Sequence, residues 1–135
     1  MSEHKTFQFE LVSPAEKLIS EPARYVSVPG SEGEFGVLPG HSSLISSLKP
    51  GVVSFKNKDN GHEDIFIAGG FADVSADNLT ILAEEAVSVK ALDKDELQKE
   101  LSNLSDDLKL VEGETDKQRV MKKIDIAQAK LAAAA

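Results

Sequence analysis

The residues of this chain that could do chemistry are few and badly spaced for it. The histidines His4, His41 and His62 share no metal-ligand spacing, and each reads as a surface or turn residue. Glu84 and Glu85 look like a carboxylate pair, but adjacent residues on a strand face opposite sides and cannot serve one substrate. Asp106 and Asp107 read as the solvated face of a helix. Serines are plentiful, yet there is no G-x-S-x-G elbow. Gly-Lys does not occur, so there is no P-loop. The absence of cysteine removes disulfides, thiol chemistry and Cys-based metal sites. The residues therefore predict no catalytic group, no metal and no cofactor.

One segment still needs an explanation: Pro29-Gly30-Ser31-Glu32-Gly33-Glu34-Phe35-Gly36-Val37-Leu38-Pro39-Gly40-His41. Its glycines do not fit G-x-G-x-x-G and no helix follows. Two readings stay open. The segment makes tight hairpins at one end of a β fold, or it is a rigid recognition loop displaying Ser31, Glu32 and His41. Loops held by a scaffold are the usual place for binding residues.

The elements that must position this segment change character near residue 90. All five prolines lie in the first 50 residues, and eight of the nine glycines in the first 70. Phe7, Phe9 and Leu11 alternate with Gln8, Glu10 and Val12, a period of 2, and residues 24–28 repeat the pattern. Pro29-Gly30, Pro39-Gly40 and Pro50-Gly51 read as type II turns, with Pro at i+1 and Gly supplying positive φ at i+2. Asn60-Gly61 reads as a two-residue hairpin turn between residues 52–56 and 64–68. Gly69-Gly70 and Asp77-Asn78 separate further short strands, and Val87 and Val89 fit a last one. The expectation is an antiparallel β-sandwich of short strands over residues 1–90.

Residues 91–135 read as an antiparallel αα-hairpin, which makes the fold class α+β, mainly β. Asp93 and Glu96 have capping-box spacing, as do Thr115 and Gln118. Leu97, Leu101, Leu104 and Leu108 form one seam at spacings of 4, 3 and 4. Val120, Ile124, Ala127 and Leu131 form a matching one. Gly113 is the stop between them, within a short connection over residues 112–114.

Charge limits the partners. Of 135 residues, 15 are Lys or Arg and 23 are Asp or Glu, a formal net charge of −8. An acidic chain repels nucleic-acid phosphates and anionic lipid alike. The longest stretch free of Asp, Glu, Lys and Arg, residues 35–48, is broken by two Gly, a Pro, a His and four Ser. It cannot cross a bilayer, which needs about 18 apolar residues. The N-terminal residues form no apolar h-region and no Arg-rich leader, so the chain is expected to stay where it is made. Direct lipid insertion is not expected. The residues alone allow a free-standing β-sandwich binding module with a coiled-coil interaction tail.

A resemblance narrows this. Residues 30–41, quoted above, closely resemble the signature of the epsilon subunit of bacterial F-type ATP synthases, whose mitochondrial counterpart is called delta. The likeness continues in Leu48-Lys49-Pro50-Gly51, in Ile67-Ala68-Gly69-Gly70-Phe71-Ala72-Asp73-Val74 and in Leu79-Thr80-Ile81-Leu82-Ala83-Glu84. It implies a non-catalytic subunit of the rotor, a peripheral part of the complex on the cytoplasmic face of the bacterial inner membrane. The β-sandwich would sit at the foot of the central stalk, against the gamma subunit and the c ring. The family's c-ring contact matches Ser31, Glu32, Gly33 and Glu34, and His41 and Ser42 fall near gamma. The helical hairpin would be regulatory, able to extend into the alpha/beta catalytic head and inhibit ATP hydrolysis. Lys117, Arg119, Lys122, Lys123 and Lys130 are then candidates to meet acidic segments of that head. Some members bind ATP through an I/L-D-x-x-R-A motif. Here the run is Leu92-Asp93-Lys94-Asp95-Glu96-Leu97, so Asp93 is present, Glu96 replaces Arg and Leu97 replaces Ala. ATP binding is not expected.

Overall fold

A computed structural model describes residues 5–134. His4, one of the three histidines, lies outside the described residues. The chain forms two compact units, the first ending at Ser88 and the second starting at Val89.

Among the described residues the first unit holds nine strands: β1 (Phe7–Val12), β2 (Lys17–Gly30), β3 (Gly33–Val37), β4 (Leu44–Leu48), β5 (Gly51–Asn57), β6 (His62–Ile67), β7 (Gly70–Val74), β8 (Asn78–Ala83) and β9 (Ala86–Ser88). They pair in the order β1-β8-β7-β4-β2-β5-β6-β9, with β3 on β2 and β1 also on β2. The sandwich is closed by β2, which is longer than the short strand expected at 24–28. Its first half pairs with β1, its middle with β5 and its end with β3, and Gly30 meets Leu48 of β4. A strand can pass from one sheet to another only by bending, and bulges supply the bend. The register of β2 against β5 breaks between Ala23 and Tyr25, at Arg24.

The period-2 pattern decides which side chains face inward. Phe7, Phe9 and Leu11 are buried while Gln8, Glu10 and Val12 are half-exposed. Val26 and Val28, Val53 and Phe55, and Leu79 and Ile81 meet them in one core. The Phe9 and Phe55 rings pack edge to face with centroids 5.0 Å apart, the geometry that aromatic quadrupoles favour. Each such side chain contributes about 1.5–3 kcal/mol by leaving water.

Several local expectations are corrected. Among the described residues the ladders are antiparallel except one: β1 runs parallel to β8. Of the three Pro-Gly pairs, only Pro39-Gly40 makes the expected turn. Gly40 has φ +83° and the His41 N–H donates to Leu38 O at 3.1 Å. Pro29 and Gly30 are instead ladder residues, paired with Glu34 and Gly33, and Gly51 pairs with Ile67. At Asn60-Gly61 only Asn60 has positive φ, +66°. The connection is therefore a longer one in which Asn57 Oδ1 accepts from the N–H groups of Asp59 and Gly61. Glu84 and Glu85 lie in the bend between β8 and β9, where backbone bonds to Gly69 and Ala68 hold them. Val89 falls in a single 3-10 turn, Val89–Ala91, and not in the last strand.

The second unit holds that turn and two helices that pack together, α1 (Lys94–Leu110) and α2 (Glu114–Ala134). Asp93 caps α1, its Oδ1 accepting from Asp95 N at 2.9 Å and Glu96 N at 3.2 Å. Both seams are legible in the burial. Leu97 and Ala127 are buried, and Leu101, Leu104, Leu108, Val120, Ile124 and Leu131 are half-buried. Thr115 does not cap α2. The helix begins one residue earlier, with the Lys117 N–H donating to Gly113 O at 2.9 Å. Glu114 and Asp116 in the first turn favour this start by complementing the helix dipole.

Candidate functional site

The glycine-rich segment forms the tip of the β2–β3 hairpin. Gly30 pairs with Gly33, leaving Ser31 and Glu32 as the two-residue loop. Neither has positive φ, but Gly33 does, at +132°. That excludes the primed hairpin turns and shifts the unusual backbone onto Gly33. Gly30 is needed for space: a Cβ there would lie 2.7 Å from Gly33 O and 3.0 Å from the Phe35 ring. The loop is tied to β4 by Ser31 N–H to Ser47 O at 2.9 Å, and just beyond β4 the Lys49 N–H donates to Pro29 O of β2 at 3.0 Å. Ser31, Glu32, Gly33 and Glu34 are all exposed. They are polar groups on a braced support, and together with residues 44–47 of β4 they line an open groove of about 560 Å³.

His41 and Ser42 stand at the other end of β4. His41 is half-buried, and its Nδ1 donates to Ser42 O at 2.8 Å, which fixes the ring's tautomer and direction. Ser42 is exposed. The two predicted surfaces are thus the two ends of one strand.

The sequence reading missed what lies between and beside them. Phe71 of β7 is directly opposite Leu82 of β8, which is opposite Val12 of β1. Ile45 of β4 sits diagonally from Phe71, on the same face. Ile45, Phe71 and Leu82 are 76%, 56% and 54% exposed. Three large apolar side chains contiguous on one outer sheet face make a candidate interaction surface, whereas scattered ones would not. The signal was present in the alternation: Ala72 and Val74, and Ile81 and Ala83, claim the inner face, which leaves Phe71 and Leu82 outside.

The helical cations are on the surface. Lys117, Arg119, Lys122 and Lys123 are exposed, while Lys130 is half-buried. Arg119 Nη1 lies 3.5 Å from Asp116 Oδ1, an exposed pair of little energetic weight. At the motif run, both Asp93 bonds are spent on capping α1, and Glu96 is exposed.

One side-chain cluster looks catalytic and is not. Ser54 Oγ donates to Asp64 Oδ1 at 2.6 Å, and His62 Nε2 lies 2.8 Å from the same oxygen. The carboxylate stands between hydroxyl and imidazole, so the imidazole cannot take the hydroxyl proton as a nucleophilic relay requires. Among the described residues no group of three or more His, Asp and Glu could hold a metal, and no helix is long and apolar enough to cross a membrane.

The chain is similar to known proteins over both of its units. Residues 6–89 match the family model of the ATP synthase delta/epsilon chain β-sandwich domain. The ATP synthase epsilon chain of Rhodospirillum rubrum is 42% identical over 129 residues, 96% of each chain. That of Rhodospirillum centenum is 40% identical, over 92% of this chain and 88% of its own. A chain in the cryo-EM structure of the Euglena gracilis mitochondrial ATP synthase, comprising OSCP, F1 and the c ring in rotational state 1, superposes with a TM-score of 0.84. It is 26% identical, and the match covers 96% of this chain and 82% of that one. With the match running through both the sandwich and the helices, this chain belongs to the ATP synthase delta/epsilon family.

Proposed function

We propose that this chain is a non-catalytic rotor subunit that joins gamma to the c ring, so that proton flow through the ring drives ATP synthesis. The observation that carries the reading is the braced loop of residues 31–34 standing beside an exposed apolar strand face. The loop presents carboxylates on a fixed backbone, which suits a polar or basic protein loop and not an anionic lipid surface. We assign it to the c ring. His41, Ser42, Ile45, Phe71 and Leu82 form the gamma-facing side, since a broad apolar face fits a lasting subunit contact. The c ring in the Euglena assembly supports this setting. The chain would then be peripheral, at the cytoplasmic face of the bacterial inner membrane, and would touch the membrane only through the ring.

The helical hairpin, residues 91–135, is the regulatory part in this reading. Its seams can bury against each other or against gamma, and Lys117, Arg119, Lys122 and Lys123 would reach the alpha/beta head in the extended form. A chain ending at Lys90 should therefore fold, bind gamma, and leave ATP hydrolysis by the complex equal or faster. Co-purification with gamma and a hydrolysis assay check this. Loss of gamma binding to background would overturn the assignment of the gamma-facing side to the sandwich.

ATP is not a ligand in this reading. Asp93 is occupied as a cap, and Glu96 has the wrong sign for a phosphate, whose burial against a carboxylate costs several kcal/mol. Calorimetric titration should show no ATP affinity tighter than about 1 mM. Glu96→Arg tests the cause: a gain in affinity names charge, and no gain names the bulk of Leu97. Micromolar binding by the unmodified chain would refute the reading.

A further inference from the structure

The Asn60-Gly61 pair belongs to neither interaction surface, yet it carries chemistry. In such a pair the glycine nitrogen can attack the asparagine Cγ. The new N–Cγ bond forms, the Cγ–Nδ2 bond breaks, and ammonia leaves with the proton from the nitrogen. Water then opens the resulting succinimide to aspartate or isoaspartate. Nothing but water is consumed. Both residues are exposed, and glycine puts no side chain in the way of attack.

The structure shows one partner of this reaction primed and the other tethered. Arg24 Nη1 donates to Asn60 Oδ1 at 2.7 Å, so a cation polarises the carbonyl under attack. The Gly61 N–H, however, donates to Asn57 Oδ1 at 2.8 Å. Asn60 is also pinned from its own backbone, its N–H donating to Asn57 O at 3.1 Å while it holds φ +66°. The nitrogen must give up its bond to Asn57, and the pinned turn opposes the backbone rotation that closing the five-membered ring requires. We infer that Asn60-Gly61 is a guarded deamidation site, with Asn57 as the positioning residue that withholds the nucleophile.

The product matters for the turn. A carboxylate at position 60 would take the net charge from −8 to −9 and face the Arg24 guanidinium. Isoaspartate would also add a backbone methylene inside the β5–β6 connection. The modification would therefore record opening of this hairpin more than elapsed time.

The test needs only the full chain. It is incubated at mildly alkaline pH in native buffer and in guanidinium chloride, and residue 60 is followed by peptide mass mapping. Asn78 and Asn103, which precede leucines, serve as internal references. Native protein should deamidate at residue 60 more slowly than denatured protein by roughly tenfold, the scale of one lost hydrogen bond plus a fixed backbone. Asn57→Ala should approach the denatured rate, and Asn57→Asp, which keeps the acceptor, should stay slow. Asn60→Gly, which suits the positive φ, should abolish the mass gain and so locate it. Equal native and denatured rates overturn the proposal without any variant. A folded Asn57→Ala protein that keeps the native rate overturns the role given to Asn57.

Discussion

Gly70→Ala should remove a large part of the stability of the β-sandwich. Gly70 opens β7 at φ +146°, a conformation that side chains rarely adopt, and a Cβ there would collide with the Leu82 carbonyl. The strain alone costs about 1–3 kcal/mol. Overpacking against backbone adds about the same or more, because a carbonyl held in a ladder cannot turn aside as a flexible side chain can. Gly70 pairs with Ala83, and the colliding carbonyl belongs to the same β7–β8 ladder. The sum is a large part of the roughly 5–15 kcal/mol that holds a typical domain together. Urea unfolding checks it, with the midpoint expected to fall steeply. Gly33→Ala is the control. Its φ of +132° is as unusual, but nothing lies within 4 Å of its Cβ, so only the strain of about 1–3 kcal/mol should appear. If both variants unfold at the same urea concentration, the collision at Gly70 is not what costs stability.

The second large effect is functional. Replacing Ser31, Glu32 and Glu34 with bulky or basic residues should uncouple proton flow from ATP synthesis while the isolated fold survives. The three side chains are exposed, so their loss should change folding stability by less than about 0.5 kcal/mol. Gly33 stays, because its backbone needs it. In membrane vesicles carrying the reconstituted complex, ATP synthesis should drop towards background while the proton gradient leaks. Full coupling in the presence of these changes would mean that the c ring is met elsewhere. The obvious second choice is the apolar face of Ile45, Phe71 and Leu82, and Phe71→Glu would then separate the two.

Much of this was readable in the sequence, and what was not has physical reasons. The alternation at Phe7, Phe9 and Leu11 and the 4-3-4 leucine spacing report burial directly, because strand and helix periods are set by backbone geometry. Asp93 was readable as a cap because capping is local. The failures were mostly positions where a residue outside the local pattern decides. Pro29-Gly30 looked like a turn, but pairing with Glu34 and Gly33 drew it into the strand and moved the turn onto Ser31 and Glu32. Asn60-Gly61 looked like a two-residue hairpin, but Asn57 reached across the turn and lengthened it. The length of β2 was invisible because successive partners take it over along its length. At the proposed site, glycine density drew attention to the loop residues. The apolar face beside them was not legible, since it joins residues from three strands that only the sheet order makes neighbours.

The parallel ladder of β1 on β8 bears on how the chain is made. Gln8 must wait for Asn78, 70 residues further on, before that ladder can close. At a ribosome adding roughly 5–20 residues each second, the gap lasts about 4–14 s. During that time β1 can pair only with β2, whose facing half follows it within a few residues. One edge of the nascent hairpin, with Phe7, Phe9 and Leu11 on its inner face, therefore stays open to solvent until β8 emerges. Codon speed between β2 and β8 should thus set how long that edge is available to a chaperone or to a second nascent chain.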